Sequence, residues 1–137
     1  DAWSAEVAWL RYREAGAAAD KITISSDGGG CLPTFDADGR MLHMDVGRPG
    51  ALVTTMQALL ARGVELSDVL PAFTSNVARL LRLPRKGNIH VGADADLVAL
   101  DADGGIRDVM AMGRFHVKGG QQLVAGTFES LRTEVLA

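Results

Sequence analysis

"KITISSDGGGCLP", residues 21–33, is the stretch on which the reading of the fold turns. A short β-branched run, Ile22, Thr23 and Ile24, passes through two serines into one aspartate and then three consecutive glycines. β-Branched residues favour extended backbone, and glycine lets a chain turn or lets another group come close. A simple turn needs one or two glycines. Three of them, between the Asp27 carboxylate and the Cys31 thiol, suggest a strand that ends in a loop cleared of side chains. Upstream, residues 2–14 place Trp3, Val7 and Leu10 at helical spacing, with Glu6, Arg11 and Arg13 between them. Gly16 follows where a helix C-terminus favours glycine. Helix, short loop, strand and glycine-rich loop is the order a β/α barrel or doubly wound sheet supplies. Ligands in such folds gather beyond the carboxyl ends of the strands, where this order puts Asp27.

Downstream, "LPTFDADGRMLHM" (residues 32–44) reads as two extended pieces around an Asp38-Gly39 hairpin turn. Residues 48–62 form a second amphipathic helix, with Pro49 in its first turn and Gly63 just past its end. Ser67 suits the N-cap of a third helix, with Asp68 in the first turn and Pro71 early enough to be tolerated. "TSNVARLLRL" continues as helix after a break at residues 74–76, and Leu83-Pro84 stops it. After Arg85 the character changes to short β pieces: "DADLVALD", "IRDVMAMG", "RFHVKG" and "QQLVAG". Gly119-Gly120 joins the last two as a two-residue turn.

The bulk properties narrow the class. With 137 residues, 47% apolar and 23% charged, the chain has the composition of a folded domain of ordinary size. A net charge of -3 gives no basic field for nucleic acid or an anionic membrane. No apolar run is long enough to span a bilayer, and no signal-peptide pattern stands at the front. One cysteine excludes an internal disulfide and fits a reducing cytoplasm. The sequence opens on Asp1 with a helix almost at once, as a fragment of a longer chain would.

Asp27 has two readings. It could bond its own turn backbone, as turn aspartates commonly do. At the end of an apparently buried strand it could instead hold a metal or take a proton from bound water. The glycines do not make a phosphate loop, because Cys31, Leu32 and Pro33 follow them instead of a lysine and a hydroxyl residue. Cys31 as a nucleophile would need His43, His90 or His116 as its base, and no spacing ties them together. Nor do the three histidines stand at the spacing of a zinc set. The "DADG" segments at residues 36 and 101, and "GADAD" from Gly92, lack the remaining ligands of a calcium loop and read as turn chemistry.

Two separated segments carry a resemblance. "TSNVARLLRLPRKGNIHVGADADLVALD" (residues 74–101) resembles the closing signature of the metal-dependent amidohydrolase superfamily. The matching parts are Thr74, Asn76 and Ala78; Lys86, Gly87 and Ile89; and Gly92 through Val98. "ISSDGGGCLPTFDADG" is similar to the last barrel strand and following loop of bacterial isoaspartyl dipeptidases, and "GTFE" (residues 126–129) to that family's ending. Together they cover residues 22–129.

The resemblance implies a hydrolase of β-aspartyl peptide bonds, built on a TIM barrel with two zinc ions bridged by a carboxylated lysine and a water. Asp27 would be a zinc ligand and the base that takes the proton from the attacking water, later passing it to the leaving amine. Cys31 stands where the family commonly has a serine touching the substrate's polar end; a thiol is the weaker hydrogen-bonding group. The family's His-x-His, bridging lysine and two further zinc histidines precede the aspartate, whereas residues 1–26 contain no histidine.

The expected fold is therefore α/β: the C-terminal portion of a TIM (β/α)8 barrel plus part of a small β-sandwich domain. Its expected parts are residues 1–84 (the last barrel strand and helices), residues 85–128 (sandwich) and residues 129–137 (tail). The remaining metal ligands are expected from the missing N-terminal part of the same polypeptide, and the isolated chain is expected to be inactive. A cytoplasmic homo-oligomer is expected, with neither nucleic acid nor membrane as partner. Two alternatives stay open: an amidohydrolase acting on cyclic amides of the hydantoin or dihydropyrimidine type, and a non-catalytic β-rich module.

Overall fold

A computed structural model describes residues 3–127, 130 and 131. The chain divides into two compact units, Asp1–Arg82 and Leu83–Ala137. The fold is mixed α/β.

In the first unit, helix α1 (Ala5–Glu14) ends at Gly16, whose φ of 76° is the left-handed conformation that glycine adopts without a Cβ penalty. Its start falls three residues later than the periodicity suggested, and Ala2 lies outside the described residues. Helix α2 (Ala51–Ala61) packs against α1; Met56 and Leu59 of α2 and Trp9 of α1 are buried. A short helix α3 (Leu66–Val69) runs directly into a 3-10 turn, Leu70–Phe73. Thr74, at φ -129° and ψ -92°, breaks the path before helix α4 (Ser75–Leu80). Leu59 and Val69 are fully buried, and burying such a side chain stabilises by about 1.5–3 kcal/mol. Trp9 is buried as well, with no hydrogen-bond partner for its indole Nε1 among the described residues.

Two expectations are corrected here. Ser67 does not cap the third helix: Glu65 holds the extended N-cap conformation, and Ser67 lies inside the first turn. "KITIS" is not a paired strand. Residues 19–21 make a 3-10 turn, and residues 22–26 run extended without a strand partner among the described residues. Alternation puts Ile22, Ile24 and Ser26 half-buried and Thr23, Ser25 and Asp27 exposed, so the segment covers the unit with one face only.

The glycine-rich loop leads into a hairpin of β1 (Cys31–Phe35) and β2 (Met41–Val46), with Cys31 opposite Val46 and Thr34 opposite His43. Its turn is the expected one. Asp36 Oδ1 accepts from the N–H groups of Asp38 (2.9 Å) and Arg40 (2.8 Å), and Gly39 has φ 79°. Every residue of both strands is exposed.

The second unit is a four-stranded antiparallel meander: β3 (Leu97–Leu100), β4 (Ile106–Ala111), β5 (Arg114–Lys118) and β6 (Gln121–Gln122). Two-residue turns at Met112-Gly113 (φ 50° and 77°) and Gly119-Gly120 (φ 58° and 76°) have the paired positive φ that matches strand twist. The "GADAD" aspartates are committed to ion pairs as well as to a turn. Asp94 meets Arg85 and Lys86, each at 3.1 Å. Asp96 pairs with Lys86 and accepts the Met112 N–H at 2.7 Å. Phe128 and Glu129 of "GTFE" lie outside the described residues.

Candidate active site

Asp27 closes the extended segment, and the rest of the first unit holds that segment from beneath. The buried Asn76 donates its amide to the carbonyls of Ala19 (2.8 Å) and Ile22 (2.9 Å), at the segment's beginning. Arg79 donates to Asn76 Oδ1 at 3.3 Å and to the Asp20 carbonyl. The Ile24 N–H reaches the Ala72 carbonyl at 3.1 Å. Sequence reasoning quoted Asn76 as part of a signature without giving it a task. Its task here is to tie α4 to the chain that carries the carboxylate.

At Asp27 the backbone turns sharply, with φ at 49°. Left-handed backbone is uncommon outside glycine, with Asp and Asn the usual exceptions. The Asp27 N–H donates to Ser25 Oγ at 3.2 Å, and its carbonyl accepts the Gly30 N–H at 2.8 Å. The loop is then closed from the far end of the hairpin: Gly29 N–H donates to the Gly47 carbonyl and Gly47 N–H to the Gly30 carbonyl, both at 2.9 Å. The glycines thus have separate reasons. Gly29 has φ 81° in open space. A Cβ on Gly28 would sit 3.3 Å from the Pro49 ring. A Cβ on Gly30 would lie 2.7–2.9 Å from the Asp27 carboxyl group, and one on the buried Gly47 only 1.9 Å from the Asp27 carbonyl oxygen.

The carboxylate itself is exposed and has no hydrogen-bond or ion-pair partner among the described residues. Asp36, by contrast, spends its carboxylate on its own turn. The turn-anchor reading of Asp27 therefore fails, because backbone atoms and the Ser25 hydroxyl do that work. Cys31 begins β1 as an exposed free thiol four residues on. His43 does not serve it as a base. Thr34, the partner of His43, is three residues along β1, about 10 Å away at ~3.3 Å per residue and on the opposite face of the hairpin. His90 and His116 belong to the other unit.

A metal at this place can use Asp27 as one ligand, since an uncommitted carboxylate is a hard oxygen donor suited to a divalent cation. No three His, Cys, Asp or Glu side chains come together among the described residues. The rest of a ligand set would come from outside them.

Comparison with known proteins matches residues 6–120 to the amidohydrolase family. The chain belongs to the amidohydrolase family. Among solved structures, this amidohydrolase chain is similar to a β-aspartyl dipeptidase from the thermophilic, keratin-degrading Fervidobacterium islandicum AW-1 in complex with a β-Asp-Leu dipeptide. Identity is 37% and the TM-score 0.81, over 92% of this chain and 33% of that one. A second structure of β-aspartyl dipeptidase from the same organism matches at 32% identity and TM-score 0.74, over 94% of this chain and 31% of that one. The N-acetylglucosamine-6-phosphate deacetylase of Thermotoga maritima shares the fold, with 20% identity and TM-score 0.58 over 77% of this chain and 33% of that one. The chain thus spans about a third of the length of the dipeptidases it matches.

Proposed function

We propose that this chain is the part of a zinc-dependent β-aspartyl (isoaspartyl) dipeptidase that contributes Asp27 to the active site. The observation that carries this reading is the unpartnered Asp27 carboxylate, held in a left-handed turn at the end of an extended segment. Similarity to a dipeptidase that binds β-Asp-Leu supports the substrate. Residues 22–26 run extended with no paired neighbour among the described residues, as a barrel strand does whose flanking strands belong to polypeptide outside these residues. Leu80, Leu81, Ile89 and Val91, all strongly exposed, would be covered by the same remainder of the barrel and sandwich domain.

In this reading Asp27 acts twice. As a base it takes the proton of the water that attacks the β-aspartyl carbonyl; as an acid it returns that proton to the leaving amine nitrogen. Two zinc ions, when bound, would lower the pKa of that water and polarise the carbonyl. Cys31, where that loop enters β1, would face the substrate's polar end. The enzyme would work in the cytoplasm as a homo-oligomer.

The test is zinc content together with turnover of β-Asp-Leu by the whole polypeptide. Wild type is expected to hydrolyse the dipeptide, and Asp27→Ala to lose at least about a hundredfold in kcat, the scale of a lost acid–base group. Bound zinc without turnover of that dipeptide, but with turnover of a hydantoin, would keep the family and remove the substrate.

A further inference from the structure

Gly30, the last glycine of the loop, and Gly47, which no motif singles out, both lie against Asp27. We propose that Gly30 and Gly47 are positioning residues for Asp27: Gly47 locks its backbone, and Gly30 leaves room for its carboxyl group on that side. This rests on the functional reading of Asp27 given above.

Gly47 sits just beyond β2, seventeen residues after Gly30 of the loop it touches. It is buried, and its N–H and C=O both bond the loop, to Gly30 and from Gly29 at 2.9 Å each. A methyl group there would lie 1.9 Å from the Asp27 carbonyl oxygen, 2.6 Å from its carbonyl carbon and 3.0 Å from the Ser26 carbonyl oxygen. These are backbone atoms that cannot rotate aside, so any side chain at 47 displaces the Asp27 peptide by more than 1 Å, roughly the gap between 1.9 Å and an ordinary contact. Gly30 acts on the other end of the same residue. A methyl group there would stand 2.7 Å from Oδ1, 2.8 Å from Cγ and 2.9 Å from Oδ2. Those atoms end a flexible side chain, so alanine at 30 would swing the carboxylate and leave the fold intact. Gly30 is not at positive φ, which removes backbone strain as a competing effect.

The two effects separate by experiment in the whole polypeptide. Gly30→Ala should keep its melting temperature and its KM for β-Asp-Leu. It should lose kcat about 10- to 100-fold, the scale of a 1 Å misplacement. The zinc-free protein, titrated with zinc, should bind at least about tenfold more weakly, because a ligand has been turned away. Gly47→Ala should lose more of both and melt lower. Gly39→Ala, at φ 79° in open space at the hairpin tip, adds backbone strain that Gly30→Ala lacks, far from Asp27, and should match wild type in kcat and zinc affinity. If Gly47→Ala does not fold, Gly30→Ala decides alone. Wild-type kcat and zinc affinity in Gly30→Ala overturn the proposal. Asp27→Asn tests the underlying reading separately. Full activity there removes the role of Asp27 altogether, whereas an inactive Asp27→Asn beside an unaffected Gly30→Ala spares Asp27 and removes the glycines.

Discussion

Asn76 gives one side-chain amide to two carbonyls that precede it by 57 and 54 residues, and so joins α4 to the start of the Asp27 segment. Removing it leaves two part-buried carbonyls without these donors. Asn76→Ala should therefore lower stability by about 1–3 kcal/mol, read from urea denaturation. Asn76→Asp should do at least as badly, since it removes the donors and adds negative charge against two carbonyl oxygens. An Asp variant that unfolds at the wild-type urea concentration would remove Asn76 from this role. The left-handed backbone at Asp27 makes asparagine the cleaner replacement there, because it tolerates that conformation where most residues do not. The glycine loop beside Asp27 was legible in the sequence. Gly47 was not: nothing around it in "DVGRP" announces that a carbonyl from twenty residues earlier occupies its Cβ position.

At the scale of elements, hairpin turns were the most readable feature, since each needs residues that accept positive φ. Asp38-Gly39 and Gly119-Gly120 fall where they were expected. "KITIS" shows the limit. Its β-branched residues specify extended backbone, but pairing needs a neighbour, and local pattern carries no information about one. Ser67 failed because capping depends on where the helix begins: Leu66 is already helical, so the serine arrives too late. In the second unit, Lys86 joins Asp94 and Asp96 to the Met112 turn, and this sets a pH dependence. Lys86, and then the Met112 N–H, hold Asp96 below its ordinary 3.8. That contribution is complete above this value and fades as pH falls through the lowered folded one. Asp96, then Asp94, raise Lys86 above 10.5, so its contribution is complete below 10.5 and fades as pH rises through the folded value. Lys86→Met should flatten both limbs of a melting-temperature profile and change little at neutral pH, as exposed pairs do. Unchanged acid and alkaline slopes would contradict this origin.

For the molecule as a whole, the sequence made the mixed α/β character and the family visible, because the turn and helix-start residues of a signature are local. Residues that complete a metal site are distant by nature, and no three candidate ligands converge among the described residues. The first unit nevertheless contains a gauge of its own integrity. Its two tryptophans differ sharply: Trp3 is 58% exposed beneath the Arg11 guanidinium, while Trp9 is 3% exposed with its indole nitrogen unsatisfied. An indole shielded from solvent dipoles fluoresces at shorter wavelength than a hydrated one. Replacing Trp3 by phenylalanine would leave a single blue-emitting fluorophore at the contact of α1 with α2. Its emission should move to the red as those helices part, at the same denaturant concentration at which helical circular dichroism is lost. Red emission from the native Trp3→Phe protein would mean that the two helices do not close over it.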